Sequence, residues 1–375
     1  MHLRAETLTD VAIVIVHYDT PDLTSAAVSA VRADLERSGL CAECVVVDNG
    51  NRATDTAVLR GLGVTVVTAG RNLGYAGGVN FGVARTSAPL LVAMNPDVIV
   101  EPGCLAALRD ELRAGAAAAG PRFSWDRGGR LLLPPTERRD LTSESLARLT
   151  ARGPRWARLA RARWRRHARR HWLARRGMRS FALSGALLAM RRDAWDRVGP
   201  FDDGFQLYFE ETDWLTRLAR GGGQARYVPS ARAVHLYNSS ARHEPAAAAW
   251  FAASARRHAE KHGGRAARWL TSLERWTRTG AADLTANVTG MERPPAPTHA
   301  PSIDLSPAAR WIEVSSSPAG YPAAAERLDV DTHRKSTVRR WRMPDDVWDH
   351  LAPGPYMLRV IGHLGREQDT IPFLR

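Results

Sequence analysis

The 375-residue sequence predicts an α/β protein with a mostly parallel, doubly wound sheet and a smaller β-rich appendage at its C-terminal end. Three observations carry this. Over the first 120 residues short β-branched runs alternate with helical patterns, the order of a parallel sheet covered on both faces. Polar residues gather where those runs stop, which is where open α/β sheets place their ligands. Beyond about residue 303 the pattern changes to short strand-like runs punctuated by Pro and Gly.

The elements follow in order. "VAIVIVHY" (11–18) reads as a buried strand, and residues 20–39 as a helix with Thr20 or Asp22 near its cap. "CVVVDN" is the next strand, 53–61 a short helix and "VTVVTAG" a third strand. "NFGVARTSA" continues as a helix, "PLLVAMN" as a strand and "PGCLAALRDELRAG" as another helix. In "LLVAMNPDVIV" (90–100) the proline removes a backbone donor, so the strand should end near Met94 and leave Asp97 just past its C-terminal end. After an irregular stretch, "SFALSGALLAMRRDAWDRVGPFDDGF" gives a strand, a helix and a loop, and "LYFEETDWLTRLARGGG" a helix ended by glycines. "QARYVPSARAVHLYNSSA" reads as strand, turn and strand, with helical patterns to about 279. The expected organisation is a first domain of residues 1–279 with an Arg/Trp-rich insertion at about 151–179, a linker at 280–303, and a β-rich domain at 304–375.

Hydrophobic content of 44% supports packed cores and excludes global disorder, and a net charge of +14 points to an anionic partner. Three cysteines give no disulfide framework, so a reducing compartment is expected; Cys41 and Cys44 lack the second pair a zinc site needs. No run reaches about 18 apolar residues, the length of a spanning helix. In the insertion, Trp156, Trp164 and Trp172 recur every eight residues, a drift of about 80° on a helix, with many arginines opposite. That pattern suits either an anionic membrane surface or a charge-rich insertion whose tryptophans pack back onto the protein.

Chemistry-bearing residues cluster at the strand ends. Asp19 follows the first strand, Asp48 and Asn49 the second, and "GRNLGYAGGVN" the third, where Gly74, Gly77 and Gly78 would let backbone amides approach a diphosphate. "FEETDW" puts Glu210, Glu211 and Asp213 on one turn; crowded carboxylates raise the pKa of at least one, which suits a general base, while acids at a helix start also complement its dipole.

Together these motifs, from "VIVHYDTPDL" through "VVVDNGN", "RNLGYAGGVNFGV" and "LLVAMNPDVIVEPGCLAAL" to "LSGALLAMRRDAWDRVGPFDDGFQLYFEETDW" and "ARAVH", resemble a family 2 glycosyltransferase of the GT-A fold, in its bacterial rhamnosyltransferase-like branch. The resemblance covers residues 11–235. It implies that "NPD" carries the metal-binding element: Asp97 would bind a divalent cation, Mn²⁺ or Mg²⁺, that neutralises the donor diphosphate, with Asn95 at the first position of the element. His235 matches a position that completes the metal shell. Asp19, Asp48 and Asn72 match nucleotide-contacting positions, with Arg71 a weaker phosphate partner; Ser184, Gly185 and Ala186 match the stretch under the donor sugar and acceptor. Glu211 stands where the family has its base, usually Asp; Glu210 and Asp213 are the alternatives.

The implied reaction is a single inverting hexosyl transfer, with rhamnose a candidate sugar, from a UDP- or dTDP-sugar to a glycan or lipid-linked acceptor. A cytoplasmic location, peripheral at the inner membrane face, goes with it. A soluble natural product is the alternative acceptor. Readings from other classes are a basic protein binding nucleic acid or a membrane surface, and a sugar nucleotidyltransferase, for which the glycine-rich loop expected after the first strand is missing from "HYDTPDL".

Overall fold

The computed structural model describes residues 9–138, 141–236, 247–264, 297–317, 319–328 and 339–375. The described elements run in the order β1 (Val11–His17), α1 (Pro21–Ser38), β2 (Ala42–Asp48), α2 (Ala53–Arg60), β3 (Thr65–Thr68), α3 (Gly74–Val83), β4 (Leu90–Met94), β5 (Val98–Val100) and α4 (Cys104–Arg113). There follow β6 (Ala118–Ser124), α5 (Leu141–Leu149), α6 (Pro154–Trp172), β7 (Met178–Ser180), β8 (Leu187–Arg191), α7 (Arg192–Val198), α8 (Glu210–Arg220), β9 (Ala225–His235) and α9 (Ala247–His262). The chain then continues through β10 (Ser302–Leu305), β11 (Ala309–Ser315), β12 (Ala324–Arg327), β13 (Arg339–Arg342), α10 (Asp345–His350), β14 (Pro355–Gly362) and β15 (Glu367–Leu374). Two compact units result: Met1–Phe123 with Ala174–His262, and Ser124–Leu173 with Gly263–Arg375.

The first unit holds the large sheet, in the order β3-β2-β1-β4-β8-β6-β9-β5, with β7 on β9. β3, β2, β1 and β4 are parallel, and β8 joins β4 antiparallel. Alternation along each strand sends successive side chains to opposite faces. Val11, Ile13 and Ile15 therefore meet α1 and α4 through Val28, Val31, Leu105 and Leu108, while Ala12, Val14 and Val16 meet α3 and α8 through Val79, Val83, Trp214 and Leu215. Both faces are covered, which is why the strands read as unbroken apolar runs. This is the α/β architecture the sequence predicts.

β4 stops at Met94, and after the Asn95-Pro96-Asp97 turn the chain changes neighbours: β4 lies between β1 and β8, whereas β5 pairs with β9. The proline thus marks a switch of strand partner. Two expectations differ from what is observed. The third helix begins at Gly74 rather than Asn80, so the glycine-rich stretch forms its first turns. A Cβ at Gly78 would stand 2.8 Å from Val16 and one at Gly82 would collide with Val14; these glycines let α3 lie close on β1. Residues 225–235 also form one strand instead of strand, turn and strand. Pro229 is tolerated because it falls between the stretch paired with β7 (225–227) and the stretch paired with β5 (233–235). The expected linker lies largely outside the described residues.

The second unit contains a four-stranded antiparallel sheet, β12-β11-β14-β15, and the pair β10-β13. Residues 151–173 of the insertion fall in this unit. The physical reason is aromatic packing: Trp164, Ala168 and Trp172 of α6 share a core with Trp311, Ala323, Ala325 and Ile361. Trp172 lies 5.6 Å from Trp311 between ring centroids and donates Nε1–H to the Leu133 carbonyl at 2.9 Å. Arg165 forks onto Glu313 at 2.6 and 2.7 Å, both side chains buried. Trp164 and Trp172 are therefore packed onto the sheet, and Trp156 remains 40% exposed.

Candidate functional site

His17 and Asp48 are register partners, so the loops leaving β1 and β2 start side by side at the C-terminal edge of the parallel strands. Asp19 sits there in the left-handed region (φ 51°), accepting from Arg52 at 2.8 Å, and Gly50 lacks the Cβ that would collide with its carboxylate. Asp48 is fully buried and accepts from the Asn51 amide at 3.0 Å and from the Thr56 hydroxyl. Asn49 ties this end to the start of α3: its side-chain amide donates to Asn72 Oδ1 at 3.0 Å and to the Gly74 carbonyl at 3.2 Å, and its Oδ1 accepts from Leu73 N–H at 2.8 Å. Gly74 has φ 69°, and a Cβ there would meet the Gln206 carbonyl at 2.7 Å, so only glycine allows that loop so near. Arg71 is exposed. Beneath, His17 is buried against Thr24 and Asp55, and burial holds its pKa below the usual imidazole value despite Asp48 and Asp55.

The acidic turn opens α8. Tyr208 and Phe209, both non-glycine, enter it with φ 68° and 72°, a strained conformation of the kind that concentrates at functional sites. Phe209 is held there by Phe251 and His258 of α9, at 5.3 and 5.5 Å. The three acids have different surroundings. Glu210 is buried, and burial followed by the neighbouring charge of Glu211 pushes its carboxyl well above the usual range. Asp213 is fully buried; burial would raise it, but Lys261 (2.8 Å), His262 (2.7 Å) and Arg217 (2.8 Å) hold it below the usual value. Glu211 is half-buried and lies against Gly185, where an added Cβ would stand 3.2 Å from its carboxyl carbon.

Tyr75 is the hub. Its hydroxyl donates to the Gly185 carbonyl at 2.9 Å, and its pKa is driven well up by desolvation and then by the nearby Glu210, Glu211 and Asp97. α3, the 184–186 loop, the acidic turn and the "NPD" turn thus meet around one phenol. Asn95 N–H donates to the Ala186 carbonyl at 2.8 Å, and Ala186 N–H to Ser184 Oγ at 3.2 Å. Asp97, 1% exposed, faces His235 Nε2 at 3.3 Å across the β5–β9 ladder, in which Val98 partners His235.

The carboxylate oxygen of Asp97 suits Mn²⁺ or Mg²⁺, and the imidazole nitrogen of His235 favours Mn²⁺ of the two. Among the described residues no group of three or more His, Cys, Asp or Glu side chains assembles as a metal site. Cys41 and Cys44 are free, with burial pushing the Cys44 thiol up to about 11. No helix among the described residues is long and apolar enough to cross a membrane.

Of the expected residues in this unit, Asp19 and Asp48 stand at the ends of β1 and β2, Asn72 and Gly74 are joined through Asn49, and Asn95, Asp97, Ser184, Gly185, Glu210, Glu211 and His235 gather near Tyr75. Sequence reasoning missed Tyr75, Lys261 and His262. Tyr75 carried a signal, an aromatic inside the glycine-rich stretch; Lys261 and His262 carried none, being some 50 residues from the acids they hold.

Residues 12–194 match the model of glycosyl transferase family 2, and these residues are a domain of that family. The chain is 29% identical over 263 residues to the N-acetylglucosaminyl-diphospho-decaprenol L-rhamnosyltransferase of two Mycobacterium tuberculosis strains, spanning 65% of this chain and 82% of theirs. Among solved structures it is similar to a mannosyltransferase from Pyrobaculum calidifontis in complex with GDP-Man and Mn²⁺ (16% identity, 77% of each chain, TM-score 0.49). It is also similar to GalNAc-T7 with UDP, GalNAc and Mn²⁺ (14% identity, 99% of this chain and 72% of that one, TM-score 0.44).

Proposed function

We propose that this glycosyltransferase moves a deoxyhexose, rhamnose first among candidates, from a UDP- or dTDP-sugar to a lipid-linked N-acetylglucosamine acceptor, with inversion. The observation that carries the chemistry is Glu211 lying against Gly185, in the loop whose Gly185 carbonyl Tyr75 fixes. The mycobacterial rhamnosyltransferases support the choice of sugar and acceptor.

Asp19, Asn72 and the start of α3 receive the nucleotide. Asp97 and His235 would hold the divalent cation, which would supply charge neutralisation to the leaving diphosphate. Glu211 takes the proton from the acceptor hydroxyl; burial, then the neighbouring Glu211, pushes the Glu210 carboxyl well above the usual range, which makes it the poorer base of the two. Asp213, held by Arg217, Lys261 and His262, fixes the turn and does not serve as the base. The test is a transfer assay with purified protein, dTDP- and UDP-sugars, and N-acetylglucosaminyl-diphospho-polyprenol, the anomeric configuration being read by NMR. An inverted rhamnosyl product supports the reading. Retention at the anomeric carbon, or transfer only to a soluble acceptor, overturns it.

A further inference from the structure

α6 carries two arginine populations, and only one of them has work inside the protein. Arg161 and Arg165 turn toward the sheet of the second unit: Arg161 pairs with Glu367 at 2.6 Å and Arg165 with Glu313 and Glu367. Arg155, Arg158, Arg166 and Arg170 are exposed and have no ion-pair partner among the described residues, and the helix contains no acid. At 100° per residue, positions 155, 159, 162, 166 and 170 fall on one side of the helix, with 156 and 158 flanking it. Set among these arginines are exposed apolar side chains, Trp156 (40% exposed) and Leu159 (51%), with Leu173 (47%) just beyond the last turn.

We infer that this exposed face of α6 is a docking surface for an anionic phospholipid bilayer. The argument is charge complementarity combined with apolar content. Four guanidinium groups with no ion-pair partner among the described residues match a surface of lipid phosphates, and each cation near such a surface strengthens partition by about fivefold. Trp156 and Leu159 supply the apolar side chains that an interfacial helix buries at the headgroup boundary, where tryptophan is favoured. Nucleic acid is the competing anion. It explains the arginines but not an exposed leucine at each end of the face. The inference rests on α6 alone and holds or fails independently of the sugar and acceptor proposed above.

The test uses the full chain in cosedimentation with vesicles of pure phosphatidylcholine and with vesicles of equimolar phosphatidylcholine and phosphatidylglycerol. Binding is expected only with the anionic vesicles, weakening as salt screens the charges. The quadruple variant R155Q/R158Q/R166Q/R170Q should lose roughly 600-fold in partition, about fivefold for each charge removed. Leu159→Ser with Trp156→Ser should weaken binding while leaving its salt dependence in place. Unchanged far-UV circular dichroism and unchanged binding of the donor nucleotide show that the variants are folded, since none of these residues lies in the site. Failure to bind anionic vesicles overturns the inference, as does binding that the quadruple variant leaves intact. Salt-sensitive binding to a single-stranded RNA oligonucleotide, lost in the quadruple variant, with no vesicle binding would reassign the face to nucleic acid.

Discussion

At the scale of single residues, the three acids of one turn do different things because their surroundings differ. Glu211→Gln should reduce kcat by on the order of 10²–10⁴ while calorimetry shows donor-nucleotide binding intact. Asp97→Ala should abolish the Mn²⁺ dependence of nucleotide binding, measured in the same titration with and without chelator. Glu210 gives a stability prediction with a definite sign. Its folded pKa lies well above the ordinary 4.5, so the folded state holds a proton that the unfolded chain releases. Its contribution to stability is fully present below about 4.5 and is lost as pH rises toward the folded value. Glu210→Gln should therefore flatten the decline in denaturation midpoint across that window. The acids were legible as a cluster because their carboxylates are adjacent in "FEETDW"; their division of roles was not, since Lys261 and His262 come from a distant helix.

Among elements, α9 and α3 matter most to the site. α9 reaches the acidic turn through Lys261 and His262 on Asp213, and reaches the preceding loop through Arg257 and Lys261 on Asp202. Burial would raise Asp202, but Lys261 and Arg257 hold it down at about 2. Its contribution is present above about 3.8 and disappears as pH falls through about 2, so α9 should loosen in acid before the sheet melts; amide exchange along 247–262 measured against pH reads this. Replacing Lys261 and His262 together by Met and Ala leaves the buried Asp213 short of partners and should cost about 3 kcal/mol in urea denaturation. On α3, Gly82→Ala drives a methyl into Val14 and should cost about 1–3 kcal/mol. The strands were legible because two-sided burial leaves continuous β-branched runs such as 11–16, whereas the true start of α3 was not: its glycines are there for close packing, and by propensity alone they read as a turn.

For the whole chain, the net charge of +14 does not fall on one surface with one purpose: part of the arginine excess lies in internal pairs such as Arg165–Glu313. No pattern within 151–179 could show which arginines would find carboxylates more than 100 residues later. The second unit is discontinuous, and that has a consequence for synthesis. Trp164 and Trp172 leave the ribosome well before Trp311 and Ile361, the residues that cover them. With about 140 residues between Trp172 and Trp311, elongation at roughly 5–20 residues per second leaves these indoles uncovered for about 7–30 s. The arginines beside them in α6 are then gatekeepers for a nascent chain, keeping a half-made aromatic core in solution until its sheet arrives.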